Sequence, residues 1–260
     1  MREFITSTTI KNQIAIITLD RFSALNALSH ALIDELSNVI KAFDEDPNIL
    51  CTIITGYGDK AFCAGADLKE RVHMTEDEVM DTVDKIGSLV SQIEHMKMPV
   101  IAAINGLAFG GGLELAIACD IRIAEKQAKM GLTETSLAVI PGAGGTQRLS
   151  RLIGIAHTKY MIYSAQPIDA THAFDIGLVQ NVTETGESLN KAVEIAKRIT
   201  QNGPIAIKAA KKAIDQGYDL PIDKALEHER NCYLDTLETT DRIEGLQSFV
   251  EKRKPHYKGN

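Results

Sequence analysis

The chain has 260 residues, of which 44% are hydrophobic and 24% charged, with a formal net charge of −7. This is the composition of a soluble globular protein with room for one large domain or a domain and an appendage. The acidic balance argues against a nucleic-acid surface, and MREFITSTTIKN at the start lacks the apolar segment of a secretory signal, so a cytoplasmic protein is expected.

Phe4 to Thr9 and Gln13 to Leu19 read as two β segments joined at Lys11-Asn12, a plausible hairpin. After the connection DRFSALNA, Ser29 caps a helix that carries Leu32, Leu36, Val39, Ile40 and Phe43 on one face. Asp46-Pro47 ends it, and Ile49 to Thr55 is a buried strand. The glycine-bearing loop Gly56 to Leu68 follows, either a surface connection or a source of backbone donors at Cys63-Ala64-Gly65. Thr75 and Glu78 form a capping box before a helix with Val79, Val83, Ile86, Val90 and Ile93 on one side.

Pro99 to Asp120 is the stretch around which the chain is organised. Val100 to Ile104 has the length of a buried strand, Gly110-Gly111-Gly112 follows, and Leu113 to Cys119 reads as a short buried helix containing one carboxylate, Glu114. Glu114, the glycines and the flanking Asp120 and Arg122 argue against a membrane span. The first N–H groups of a helix lack intrahelical acceptors and carry the positive pole of its dipole, so glycines there let an oxyanion approach. Glu114 could equally only offset that dipole. A second lone carboxylate, Glu134, lies in KMGLTETSLAVIPGAGGT, ahead of the turn Pro141-Gly142.

Beyond this, a helix is expected from Thr146 to about Tyr163, another over Asp169 to Asp175, and a short strand over Val179 to Val182. The chain is then helical: Ser188 to Thr200, Pro204 to Ile214, Pro221 to Leu237 and Asp241 to Arg253. An α/β core over 1–202 with a helical appendage over 203–260 follows from that change.

Four widely spaced cysteines (Cys51, Cys63, Cys119, Cys232) make neither a zinc knuckle nor a redox pair. There is no HExxH or Walker motif, and Gly142-Ala143-Gly144-Gly145 is only part of a GxGxxG. Metal ions and nicotinamide cofactors are not indicated.

Five motifs in order, ALNA (24–27), KAFCAGADL (60–68), Ile101 to Ile121, IPGAGGTQRL (140–149) and FVEKRK (249–254), resemble the crotonase (enoyl-CoA hydratase/isomerase) superfamily, most of all its short-chain enoyl-CoA hydratases. The resemblance implies a spiral of ββα turns followed by C-terminal helices that build trimers or hexamers. It implies addition of water to a trans-2-enoyl-CoA in fatty-acid β-oxidation, with no cofactor, because coenzyme A is part of the substrate. By motif, the oxyanion donors fall on the N–H groups of Ala64 and Gly111, the catalytic carboxylates on Glu114 and Glu134, and the water-holding turn on Gly142. Coenzyme A is expected along Ser23, Ala24 and Leu25, at Lys60, and along Ala64, Gly65, Ala66, Asp67 and Leu68. Leu132-Thr133 before Glu134, and Cys63 in place of a small residue, depart from the usual hydratase pattern and leave acyl-chain preference open. Enoyl-CoA isomerisation, another acyl-CoA reaction, and a non-enzymatic CoA-thioester or RNA-binding scaffold are the alternatives. No nucleic-acid or membrane partner is expected.

Overall fold

The computed structural model describes residues 4–260. Strands β1 (Ile5–Ile10) and β2 (Ile14–Leu19) form an antiparallel hairpin. Lys11 and Asn12 close it with φ of 51° and 54°, the left-handed pair that matches the twist of a two-residue turn. Helix α1 (His30–Glu45) follows its Ser29 cap, whose hydroxyl accepts from the Leu32 N–H.

The chain then repeats one pattern three times. A strand enters a large sheet, a shorter strand enters a small one, and helical structure returns. These turns are β3 (Cys51–Gly56), β4 (Ala61–Cys63), α2 (Leu68–Arg71) and α3 (Glu76–Glu94); β5 (Val100–Ile104), β6 (Leu107–Phe109) and α4 (Gly111–Ala118); then β7 (Ile121–Glu125), β8 (Lys129–Gly131), a 3-10 turn over Glu134–Leu137 and α5 (Gly145–Ile153). Helix α6 (Ile155–Ser164), β9 (Ile168–Asp169), α7 (Ala170–Asp175), β10 (Asn181–Thr183) and α8 (Ser188–Ile199) complete the core. The six-stranded sheet has the order β1-β2-β3-β5-β7-β10, parallel from β2 onward, and the four-stranded sheet has the order β4-β6-β8-β9.

The side-chain period of a strand divides the core. Val100, Ala102 and Ile104 of β5 pack on the side of α1, α3 and α4, whereas Ile101 and Ala103 pack with Cys51, Ile53 and Ile123 against Ala192 and Ala196 of α8. With both faces covered, the central strands read as continuous apolar runs.

Three helices end the chain: α9 (Pro204–Gly217), α10 (Ile222–Leu234) and α11 (Thr240–Val250). Lys211 of α9 pairs with Asp120 and Asp215, tying this region to the core. The final residues fold back on α11, where Asp241 accepts from the N–H groups of Lys258 and Gly259. Ile222, Leu226, Tyr233, Ile243, Leu246, Phe249 and Val250 stand exposed on this single chain, Phe249 to 84%. No helix among the described residues is long and apolar enough to cross a membrane.

The single helix expected from Thr146 to Tyr163 is two, α5 and α6, broken where Gly154 adopts φ 81°. The small sheet was not expected, because strands of two or three residues are too short to display a period.

Candidate active site

Helix α4 begins where β6 leaves the small sheet, and its glycines fit for separate reasons. Gly110 adopts φ 48° and ψ −126°, outside the range of other residues. A Cβ on Gly112 would lie 2.1 Å from the Cys63 carbonyl oxygen, so only glycine lets the helix start against β4. Every residue of α4 is buried, including Glu114 at 3% exposure.

Glu114 is held by the turn that enters α5. Its Oε1 accepts from the N–H groups of Ala143 and Gly145, each at 2.8 Å. Burial raises its pKa, while these two bonds and the charge of Arg148 favour the ionised form. Arg148 is itself fixed by Glu94 and by the Ala143 carbonyl, so the turn is braced from behind.

Glu134 opens the 3-10 turn, and its Oε2 is buried without a hydrogen-bond partner among the described residues. Burial is the main cause that lifts its pKa to about 7, and the charge of Glu114 adds to the rise. Both carboxylates line one cavity of about 110 Å³ with Ala64, Gly65, Ala66, Gly111 and Gly142. A Cβ on Gly110 would lie 2.9 Å from the Oε1 of Glu134, so the glycine run makes room for the second carboxylate as well.

The donors require one correction. The Ala64 N–H is occupied, donating to the Leu25 carbonyl at 3.1 Å. The Ala66 N–H has no acceptor among the described residues, although its neighbours do: Asp67 donates to the Leu28 carbonyl, and the Gly65 carbonyl accepts from Leu28. Gly111 is the first residue of α4, where the N–H lacks an intrahelical acceptor. A Cβ on Gly111 would lie 3.8 Å from the Ala66 nitrogen, so these two free donors share one corner. The geometry therefore favours Ala66 and Gly111 over Ala64 and Gly111. Residue type could not separate two alanines flanking Gly65; the choice depends on where the Leu25 carbonyl points.

The remaining expected residues divide. Gly65, Ala66, Leu68 and Gly142 stand in the cavity wall, whereas Ser23, Ala24, Leu25, Lys60 and Asp67 do not. Asp67 is engaged elsewhere: it pairs with Arg21 at 2.6 Å and caps α2 through the N–H groups of Lys69 and Glu70. The Lys60 ammonium lies 5.5 Å from the centre of the exposed Phe22 ring, on the outside. A Cβ on Gly142 would meet Val83 at 2.8 Å, so this glycine seats its turn against α3. Cys63 is fully buried, and burial pushes its thiol up to about 12, which removes it as a nucleophile. No motif or spacing in the sequence points to the N–H groups of Ala143 and Gly145 or to Arg71 in the cavity wall.

Two carboxylates and two free N–H donors lining one small cavity can move protons beside a polarised carbonyl. Residues 9–260 match the family model for enoyl-CoA hydratase/isomerase, and the chain belongs to that family. YngF of Bacillus subtilis, provisionally named an enoyl-CoA hydratase/isomerase, is 50% identical over 96% of this chain and 97% of its own. The mitochondrial methylglutaconyl-CoA hydratase of Mus musculus is 46% identical over 95% of this chain and 80% of its own. The crystal structure of enoyl-CoA hydratase from Bacillus anthracis matches with a TM-score of 0.98 at 47% identity, over 99% of this chain and 100% of that one. The crotonase-type fold expected from the motifs is the fold of this chain.

Proposed function

We propose that the protein hydrates trans-2-enoyl-CoA thioesters to 3-hydroxyacyl-CoA. The observation that carries this reading is the convergence of Glu114 and Glu134 on the cavity that also receives the free N–H groups of Ala66 and Gly111. An α,β-unsaturated thioester accepts hydroxide at Cβ only if negative charge can build on its carbonyl oxygen. Two preorganised donors stabilise that charge, and each is typically worth about 2.7–4 kcal/mol.

The carboxylates divide the proton work by environment. Glu114, whose two N–H bonds oppose the rise that burial gives its pKa and fix its Oε1, takes a proton from water as the oxygen bonds to Cβ. Glu134, with a pKa of about 7, is part-protonated at neutral pH and delivers a proton to Cα as the enolate collapses. Transfer of a proton from Glu114 back to Glu134 restores both, so one water is consumed and its atoms end on Cβ and Cα. The Gly142 N–H, without an acceptor among the described residues and in the cavity wall, would hold the attacking water.

Coenzyme A would lie along the rim at Ser23 to Leu25 and Lys60, with the thioester directed inward past Ala66. Leu68, Val83, Ile86, Leu137 and Val139 line the cavity beside these groups, which supports a hydrocarbon acyl chain as its occupant. The exposed apolar face of α10 and α11 supports assembly into a trimer or a pair of trimers. Buried unpaired thiols at Cys51, Cys63, Cys119 and Cys232 support a reducing compartment such as the cytoplasm.

The test is spectroscopic. Adding the protein to crotonyl-CoA should bleach the absorbance of the conjugated thioester, and Glu114→Gln or Glu134→Gln should slow this by at least about 100-fold. Undiminished absorbance with the wild-type protein contradicts the proposal.

A further inference from the structure

The cavity contains a cation that hydration does not require. Its walls are largely apolar, with Leu68, Val83, Ile86, Leu137 and Val139, yet Arg71 at the end of α2 also lines it. Arg71 is partly buried, and its guanidinium makes no hydrogen bond or ion pair among the described residues. The acidic side chains beside it in the chain are engaged elsewhere: Asp67 holds Arg21, and Glu70 accepts from the His30 N–H at 3.2 Å. Glu134 feels the Arg71 charge, but its Oε2 stays without a partner and its pKa stays high, so Arg71 does not act as its bonded counter-ion.

A purely hydrocarbon acyl chain in this cavity would offer that guanidinium no partner. A carboxylate is its natural complement, because the planar fork of donors matches two carboxylate oxygens. Arg71 lines the same cavity as Ala66 and Gly111, so an acyl chain whose thioester is held by those two donors shares the cavity with its guanidinium. Resting on the hydration reading above, we propose that Arg71 selects enoyl-CoA substrates whose acyl chain ends in a carboxylate.

Two thioesters that differ by one group test this. Glutaconyl-CoA is crotonyl-CoA with a carboxylate on its terminal carbon. Wild-type kcat/KM should favour glutaconyl-CoA over crotonyl-CoA by about 10- to 100-fold, the worth of a hydrogen-bonded charge pair. In Arg71→Met that ratio should collapse to one or below, and Arg71→Lys should restore part of it. The ratio is internal to each variant, so a loss of folded protein does not alter it. A wild-type preference for crotonyl-CoA, or a ratio unmoved by Arg71→Met, overturns the inference and leaves hydration standing. A shift in the pH profile of Arg71→Met with no change in ratio also overturns it, since Arg71 would then act only on Glu134. A wild-type protein that hydrates neither thioester overturns the hydration reading, and this inference with it.

Discussion

Glu134 is a carboxylate kept in a place that disfavours its charge. Its pKa rises from 4.5 to about 7, so between those values the folded chain binds more protons than the unfolded one. Stability from this group therefore falls as pH rises through that window and stays lower above it. Glu134→Gln removes the charge and should be more stable than the wild type at pH 8, by about 1 kcal/mol after allowance for its partial contact with solvent, and no more stable at pH 4. Parallel urea titrations at the two pH values check this; equal midpoint shifts at both would contradict it. In the proposed mechanism the same titration sets the rate. Hydration needs a protonated Glu134, so kcat/KM should decline above a midpoint near 7, and that limb should vanish with the residual activity of Glu134→Gln. Glu114→Gln keeps an Oε1 that can accept from Ala143 and Gly145, so its melting temperature should stay near that of the wild type while turnover is lost. A large fall in melting temperature would mean that the charge itself holds the turn.

Helix α4 works because it starts where a side chain would not fit. Gly112→Ala would drive a methyl group into the Cys63 carbonyl oxygen, a backbone atom that cannot rotate away. It should cost about 2–3 kcal/mol and displace the Gly111 donor, giving a joint loss of stability and kcat. Cys63→Ala should instead keep turnover, at the cost of a small internal void of about 1 kcal/mol. Denaturant midpoints and initial rates on the two variants separate these outcomes; inactivation by Cys63→Ala would bring thiol chemistry back. The legible parts of this region were those fixed by local chemistry. The apolar run of β5, the glycines, the Thr75–Glu78 capping box and the Ser29 cap all recur in the structure. What could not be read depended on distant partners. The free donor at 66 rather than 64 is decided by the Leu25 carbonyl, and the clamp on Glu114 by a turn beyond Pro141. The small sheet is built from strands of two or three residues whose pairing, not their composition, makes them strands.

At the scale of the molecule, the core is closed on both faces of the large sheet, whereas the last helices leave an apolar face open. Exposed apolar surface on these helices supports the assembly proposed above. The 28.4 kDa chain should sediment at three or six times its mass, and Phe249→Glu with Val250→Glu should shift it towards smaller species. A monodisperse, active monomer of the unaltered chain would contradict the assembly. The central claim is that this scaffold adds water rather than moving a double bond. The decisive measurement is mass spectrometry of the product formed from crotonyl-CoA in ¹⁸O-labelled water. Hydration predicts a 3-hydroxybutyryl-CoA that carries one ¹⁸O on C3 from the first turnovers. A product of unchanged mass with its double bond relocated, or no product at all, would contradict the account.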